Sequence, residues 1–176
     1  MTQDAHLIFS LHGSLYAVDA LAVRETLSLP ELTPIAEAPG YIVGVFNLRG
    51  RVVPVMDLDV RFGYPPSRYH LSDAVIILER AGVLMGIIAS DVHDVRSLST
   101  EAMEEVPTYG REGVSRFIAG VAKVDEMIIV LLHLDNLIRL AEDVEEMSED
   151  EMMLRPCVER SFCPEATPEE RVIFRE

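Results

Sequence analysis

The 176 residues suffice for one ordinary domain or two small intertwined ones, and a hydrophobic fraction of 49% can fill a core. A formal net charge of −15 argues against a nucleic-acid surface, which needs clustered Lys and Arg, and disfavours anionic membranes for the same reason. No apolar run approaches the roughly eighteen residues that span a bilayer, and the start MTQDAHLIFSLHG lacks the basic and long apolar segments of a signal peptide. A cytoplasmic protein with no direct membrane insertion is expected.

Short β-like runs follow one another from the start of the chain. HLIFSL and LYAV flank a tight turn at Gly13-Ser14, and AVRETLSL comes next. YIVGVFNL and RVVPVM flank Arg49-Gly50, then LDVRF reads as a short helix and Gly63-Tyr64-Pro65-Pro66 as a turn before a linker. AVIIL and VLMGIIA flank Ala81-Gly82, and DVHDVRSL follows. FIAGVAKV and MIIVLL flank Asp125-Glu126, and LHLDNLIRL reads as a second short helix. Several strands are apolar at both parities, as expected where both faces are covered. Pro54 cannot donate to a ladder, which places it at an edge or bulge. Strands so closely spaced indicate barrels or a sandwich rather than βαβ units.

Beyond Leu140 the character changes. Residues 141–176 carry twelve acids and four arginines, more than half of the net charge, and AEDVEEMSEDE is a solvated acidic run and the natural domain boundary. The expected division is 5–140 as the folded domain and 141–176 as an acidic linker or tail. Thr167-Pro168-Glu169-Glu170 forms a helix-start signal, and the chain stops six residues after it, which reads as a helix cut short in a longer polypeptide. Cys157 and Cys163 are expected to be free thiols, since their spacing matches no metal or redox motif.

An internal repeat organises residues 1–140. A shift of 76 lays YIVGVFNLRGRVVPVMDLD over FIAGVAKVDEMIIVLLHLD without a gap, so that Tyr41 meets Phe117, Gly44 meets Gly120 and Asp59 meets Asp135. A shift of 69 matches Gly13 with Gly82, Val23 with Val92 and Glu25 with Asp94. Each half therefore has a hairpin, a third strand, a long loop, a second hairpin and a short helix, and two similar barrels of about five strands follow. The halves differ in charge: Glu25 and Arg49 in the first correspond to Asp94 and Asp125 in the second. The expected meaning is a docking surface on one barrel that the other lacks.

Catalytic chemistry finds little support. The histidines His6, His12, His70, His93 and His133 form no ligand pair at metal spacing, and no nucleophile elbow or phosphate-binding loop is present. Alternation puts Asp91 and His93 on one strand face and Asp94 on the other, which reads as a solvated face. No cofactor and no metal are expected. Arg49 reads as an exposed turn residue paired with Glu25. Such a pair contributes only about 0–1 kcal/mol, so its better use is to aim the guanidinium at a partner's carboxylate or carbonyl.

The run from Pro39 to Leu58, PGYIVGVFNLRGRVVPVMDL, resembles the signature of the CheW-like family of bacterial chemotaxis coupling proteins, and the likeness continues through Phe117 to Ile138. The resemblance implies an all-β fold with short helices, two intertwined five-stranded SH3-like β-barrels. It implies a non-catalytic adaptor whose partners are a chemoreceptor cytoplasmic hairpin and the regulatory domain of a CheA-type histidine kinase. It also implies a receptor-binding surface near the groove between the barrels, matched here by Val23, Glu25, Val43, Gly44, Asn47, Arg49 and Gly50. The acidic tail departs from a minimal adaptor. The alternatives are a CheW-like regulatory domain of a larger signalling protein and, from another class, a small-barrel enzyme or ligand-binding protein.

Overall fold

The structure, a computed structural model, describes residues 3–99, 103–104 and 115–139. The acidic run, both cysteines and the Thr167 helix start lie outside the described residues. In chain order the elements are β1 (Gln3–Leu11), β2 (Ser14–Asp19), β3 (Val23–Ser28), β4 (Ile42–Leu48), β5 (Arg51–Met56), α1 (Leu58–Arg61), β6 (Ala74–Arg80), β7 (Val83–Ala89), β8 (Asp91–Ser99), β9 (Met103–Glu104), β10 (Ile118–Val124), β11 (Met127–Leu132) and α2 (Leu134–Ile138). Every β-like run of the sequence is a strand, and both short helices lie where LDVRF and LHLDNLIRL put them.

Four two-residue turns join the hairpins, at His12-Gly13, Arg49-Gly50, Ala81-Gly82 and Asp125-Glu126, and both residues of each have positive φ. That is the type I′ geometry, whose twist matches that of the flanking strands. The first turn therefore sits one residue earlier than Gly13-Ser14. The reason is register: Leu11 faces Ser14 across the ladder, which leaves His12 and Gly13 as the loop.

The strands form one sheet in the order β8-β1-β2-β11-β10-β9 and a second in the order β3-β6-β7-β5-β4. The sequence halves are thus not the barrels. The first barrel combines β3, β4 and β5 of the first half with the β6–β7 hairpin of the second. The second barrel combines the β1–β2 hairpin of the first half with β8, β10 and β11 of the second, plus the short edge strand β9. Each half gives its first hairpin to the other half's barrel, and the intertwining implied by the resemblance is this exchange. The repeat offsets describe which segments match, and a match in sequence carries no information about which hairpin pairs with which strand.

The exchange is held by matching ladders. β1 runs antiparallel to β8 as β6 does to β3, and the parallel pair β11–β2 corresponds to β5–β7. Leu131 faces Ala17 as Val55 faces Gly86. In the first barrel the parallel ladder begins only at Val55, one residue after Pro54, whereas Val130 in the second barrel pairs with Tyr16. Pro54 sits where no second ladder needs its missing N–H.

Among the described residues, three apolar clusters make up the core. Leu29, Leu32, Val53, Val55, Val75, Ile77 and Ile88 form the first barrel's own core. Ile8, Ala17, Leu98, Ala122, Ile129 and Leu131 form the second's. The largest cluster belongs to both, joining Phe9, Val18 and Leu132 to Met56, Ile76, Leu78 and Ile87, with α1 and α2 contributing Leu58 and Leu137. β6 shows why its run is apolar at both parities: Val75 and Ile77 face its barrel's core, while Ile76 and Leu78 face the shared one.

Candidate docking surface

β3 pairs with β6 through a bulge: Val23 faces Leu78 and Glu25 faces Ile77, with Arg24 left over between them. Arg24 reaches Glu79 across the ladder. Glu25 points to the tip of the neighbouring hairpin, where its Oε2 lies 3.0 Å from Nη2 of Arg49. Arg49 occupies the first turn position with φ of 51° and keeps 78% of its side chain exposed. Asn47 Oδ1 accepts the Gly50 N–H at 2.7 Å and closes the turn. Asn47 and Gly50 hold the turn's shape, and Arg49 is the group that the turn presents.

The seven residues matched by the resemblance do not form one patch of equal exposure. Glu25, Asn47, Arg49 and Gly50 meet at the hairpin tip through the contacts just given. Val43 is half-buried and packs against the first barrel's core, and Val23 packs against the shared cluster. Gly44 is buried, and a Cβ there would sit 2.8 Å from the Thr33 carbonyl oxygen. The isolated bridge between Thr33 and Val45 brings that backbone close, which only glycine permits. Sequence reasoning passed over Val52, which faces Asn47 across the hairpin and is 69% exposed. The repeat shows only that its counterpart is the apolar Ile128, and the structure leaves that residue 63% exposed at the same place in the second barrel.

The two acids of the second barrel have a cation partner that the repeat comparison does not reveal. Arg96 binds Asp94 at 3.2 Å and reaches Asp125 at 3.4 Å, so the two acids of the second barrel are joined by a cation on the strand of Asp94. Both barrels tie the third strand to the second hairpin's tip through an ion contact. What differs is the group left outermost: Arg49 in the first barrel, Asp125 with 78% of its side chain exposed in the second. A bulge opposite Ile8 also breaks the alternation expected in β8, so that Asp91, His93 and Asp94 are all exposed.

A second surface lies on the second barrel. Ser10, Gly13, Ser14, Leu15, Met127 and Ile128 line an open groove of about 600 Å³ that His93 and Val130 complete. The corresponding positions of the first barrel carry bulkier side chains, Glu79, Val83 and Arg51 in place of Ser10, Ser14 and Met127.

Between the barrels, side-chain contacts to the aspartates that begin the two helices repeat with the pseudo-symmetry. Arg80 Nε lies 2.9 Å from Asp135 at the start of α2, and His12 Nδ1 lies 3.0 Å from Asp59 at the start of α1. The Arg80 hydrogen bond holds the Asp135 carboxyl below its ordinary range and raises the guanidinium in turn. Asp57 caps α1, accepting from the N–H groups of Asp59 and Val60 and from the Tyr69 hydroxyl. Burial raises the Asp57 carboxyl above its usual value and raises the Tyr69 hydroxyl still more. Among the described residues no three His, Cys, Asp or Glu side chains gather to hold a metal, and no helix is long and apolar enough to cross a membrane.

Comparison with known proteins agrees with this architecture. The CheW-like domain family matches residues 5–142. Chemotaxis protein CheW of Klebsiella aerogenes is 32% identical over 136 residues, covering 77% of this chain and 82% of that protein. Chemotaxis protein CheV3 of Helicobacter pylori is 23% identical over 138 residues, which make up 44% of its length. The crystal structure of the scaffolding protein TtCheW from Thermoanaerobacter tengcongensis superposes with a TM-score of 0.68 at 32% identity, covering 76% of this chain and 86% of that one. A family match over most of the chain, a relative of this identity and a shared two-barrel fold lead to one conclusion: the chain belongs to the CheW-like domain family.

Proposed function

We propose that this protein is a non-catalytic adaptor of chemotaxis-type signalling on the cytoplasmic side of the membrane. It couples the cytoplasmic hairpin of a chemoreceptor to the regulatory domain of a CheA-type histidine kinase. The observation that carries the receptor half is the guanidinium of Arg49, aimed by Glu25 from an exposed tip beside the apolar Val52. An exposed ion pair adds little to stability, while an oriented cation next to an exposed valine suits an amphipathic helix with an acid at the right register. The apolar groove around Leu15, Met127 and Ile128 is a separate surface for the kinase domain, and an adaptor needs two surfaces. The partial match to CheV3 supports the same module acting within a larger signalling protein as the alternative setting.

Co-sedimentation with a receptor hairpin fragment and the kinase tests the reading through a charge swap. Arg49→Glu is expected to weaken receptor binding at least about tenfold while changing stability by less than about 1 kcal/mol. The double variant Glu25→Arg/Arg49→Glu restores an ion pair with its direction reversed. If the receptor reads the exposed cation, the double variant stays defective. Recovery of binding would show that the pair only holds the hairpin, and the docking role of Arg49 would fall.

A further inference from the structure

The repeat puts an arginine where the other half has a leucine. Arg61, the last residue of α1, corresponds to Leu137 in α2, and Leu137 is completely buried. Arg61 is itself only 9% exposed. Burying a guanidinium is costly, and a leucine of similar bulk would fill the space at no such cost. Stability alone therefore gives little reason for the arginine.

Its surroundings give another. The guanidinium carbon lies 4.2 Å from the ring centroid of Tyr41 and 4.6 Å from that of Phe117. These two rings occupy the same repeat position, each one residue before the first strand of its half's second hairpin. Nη2 also reaches the carbonyl oxygens of Asn136 and Arg139 in and just after α2, each at 3.4 Å. One planar cation thus joins the roots of β4–β5 and β10–β11, the two hairpins whose tips carry Arg49 and Asp125. Stacking against two ring faces favours particular plane orientations, which an alkyl side chain would not.

We infer that Arg61 is a positioning residue that sets the angle between the two hairpins and so the separation of their tips. The leverage is large: seven residues of β4 extend roughly 23 Å at about 3.3 Å per residue, so a tilt of about 10° at the root moves the tip by about 4 Å. Its consequence for receptor docking rests on the function proposed above, whereas the geometric role does not.

The test uses the full chain with Cys157→Ser and Cys163→Ser, spin-labelled through Val52→Cys and Ile128→Cys, two exposed positions beside the tips. Double electron–electron resonance then reads the tip-to-tip distance. The parent is expected to give one narrow distribution. Arg61→Met, which keeps the bulk, is expected to broaden it or shift its mean by several ångströms while thermal unfolding moves little. Arg61→Lys, which keeps the charge without the plane, is expected to fall between them, and it carries the test should Arg61→Met not fold. A folded variant with the parent's distribution overturns the inference. Receptor-fragment binding, measured on unlabelled chains that keep Val52 and Ile128, is the second readout, expected to fall about tenfold in Arg61→Met with Glu25 and Arg49 intact. Loosened tips with undiminished binding would sever the link to docking. A parent chain that binds no receptor fragment removes the proposed function and leaves the distance measurement to decide the role of Arg61.

Discussion

Asp57 is a residue whose environment conflicts with its charge. It is 3% exposed, yet it caps α1 and accepts the Tyr69 hydroxyl, and its burial favours the protonated form. A carboxyl with a raised folded pKa contributes stability below its unfolded pKa and loses that contribution as pH rises through the folded value. Asp57→Asn keeps the carbonyl acceptor for the Asp59 and Val60 N–H groups and never ionises. In urea unfolding, the stability of Asp57→Asn relative to the parent should therefore improve as the pH rises through and beyond the ordinary aspartate range. A gap that stays constant, or moves towards the aspartate, would show that the caps and Tyr69 outweigh burial. At this scale the sequence was partly legible. The pairing of Arg49 with Glu25 could be read from charge at repeat positions. Arg96 could not, because its counterpart is Leu27, and Arg61 was hidden for the same reason behind Leu137.

At the scale of elements, the hairpins explain both what the sequence shows and what it conceals. Alternating apolar runs located every long strand, and glycine located three of the four turns to within a residue. The fourth is built without glycine: Asp125 and Glu126 both hold positive φ, at 48° and 65°. Left-handed geometry costs an L-residue roughly 1–2 kcal/mol, part of which glycine's greater unfolded-state freedom would offset. Glu126 is the counterpart of Gly50, so Glu126→Gly should raise the unfolding free energy by about 0.5–1 kcal/mol, read as a shift in the denaturant midpoint at unchanged slope. A loss of stability would mean that the glutamate side chain makes contacts worth more than the strain. Bulges were less visible, since the extra residue beside Arg24 or His93 looks like ordinary alternation until the partner strand is known.

The whole molecule is one cooperative body because its largest apolar cluster belongs to both barrels. A fragment of residues 1–66 holds a complete sequence repeat but lacks β6 and β7, the strands against which β3 and β5 pair. It should show neither a folded far-ultraviolet spectrum nor a cooperative thermal transition. Mixing it with residues 67–176 should recover both, since each barrel is then supplied with its hairpin. Independent folding of the fragment would contradict the shared core. The pairing of β1 with β8 and of β3 with β6 lay beyond the sequence because hydrophobic pattern specifies faces and not partners. Family resemblance supplied the word intertwined, and the ladders supply its meaning.

Hairpin exchange also has a consequence for synthesis. The β1–β2 hairpin emerges first, yet its parallel partner β11 begins at Met127. At a ribosomal pace of about 5–20 residues per second, the β2 edge waits for roughly 5–22 s without its partner. Nascent chains on one message that meet in that interval can trade hairpins with each other, since any β11 accepts any β2. The same topology that locks two barrels into one monomer therefore makes a strand-swapped dimer the natural misassembly of this protein.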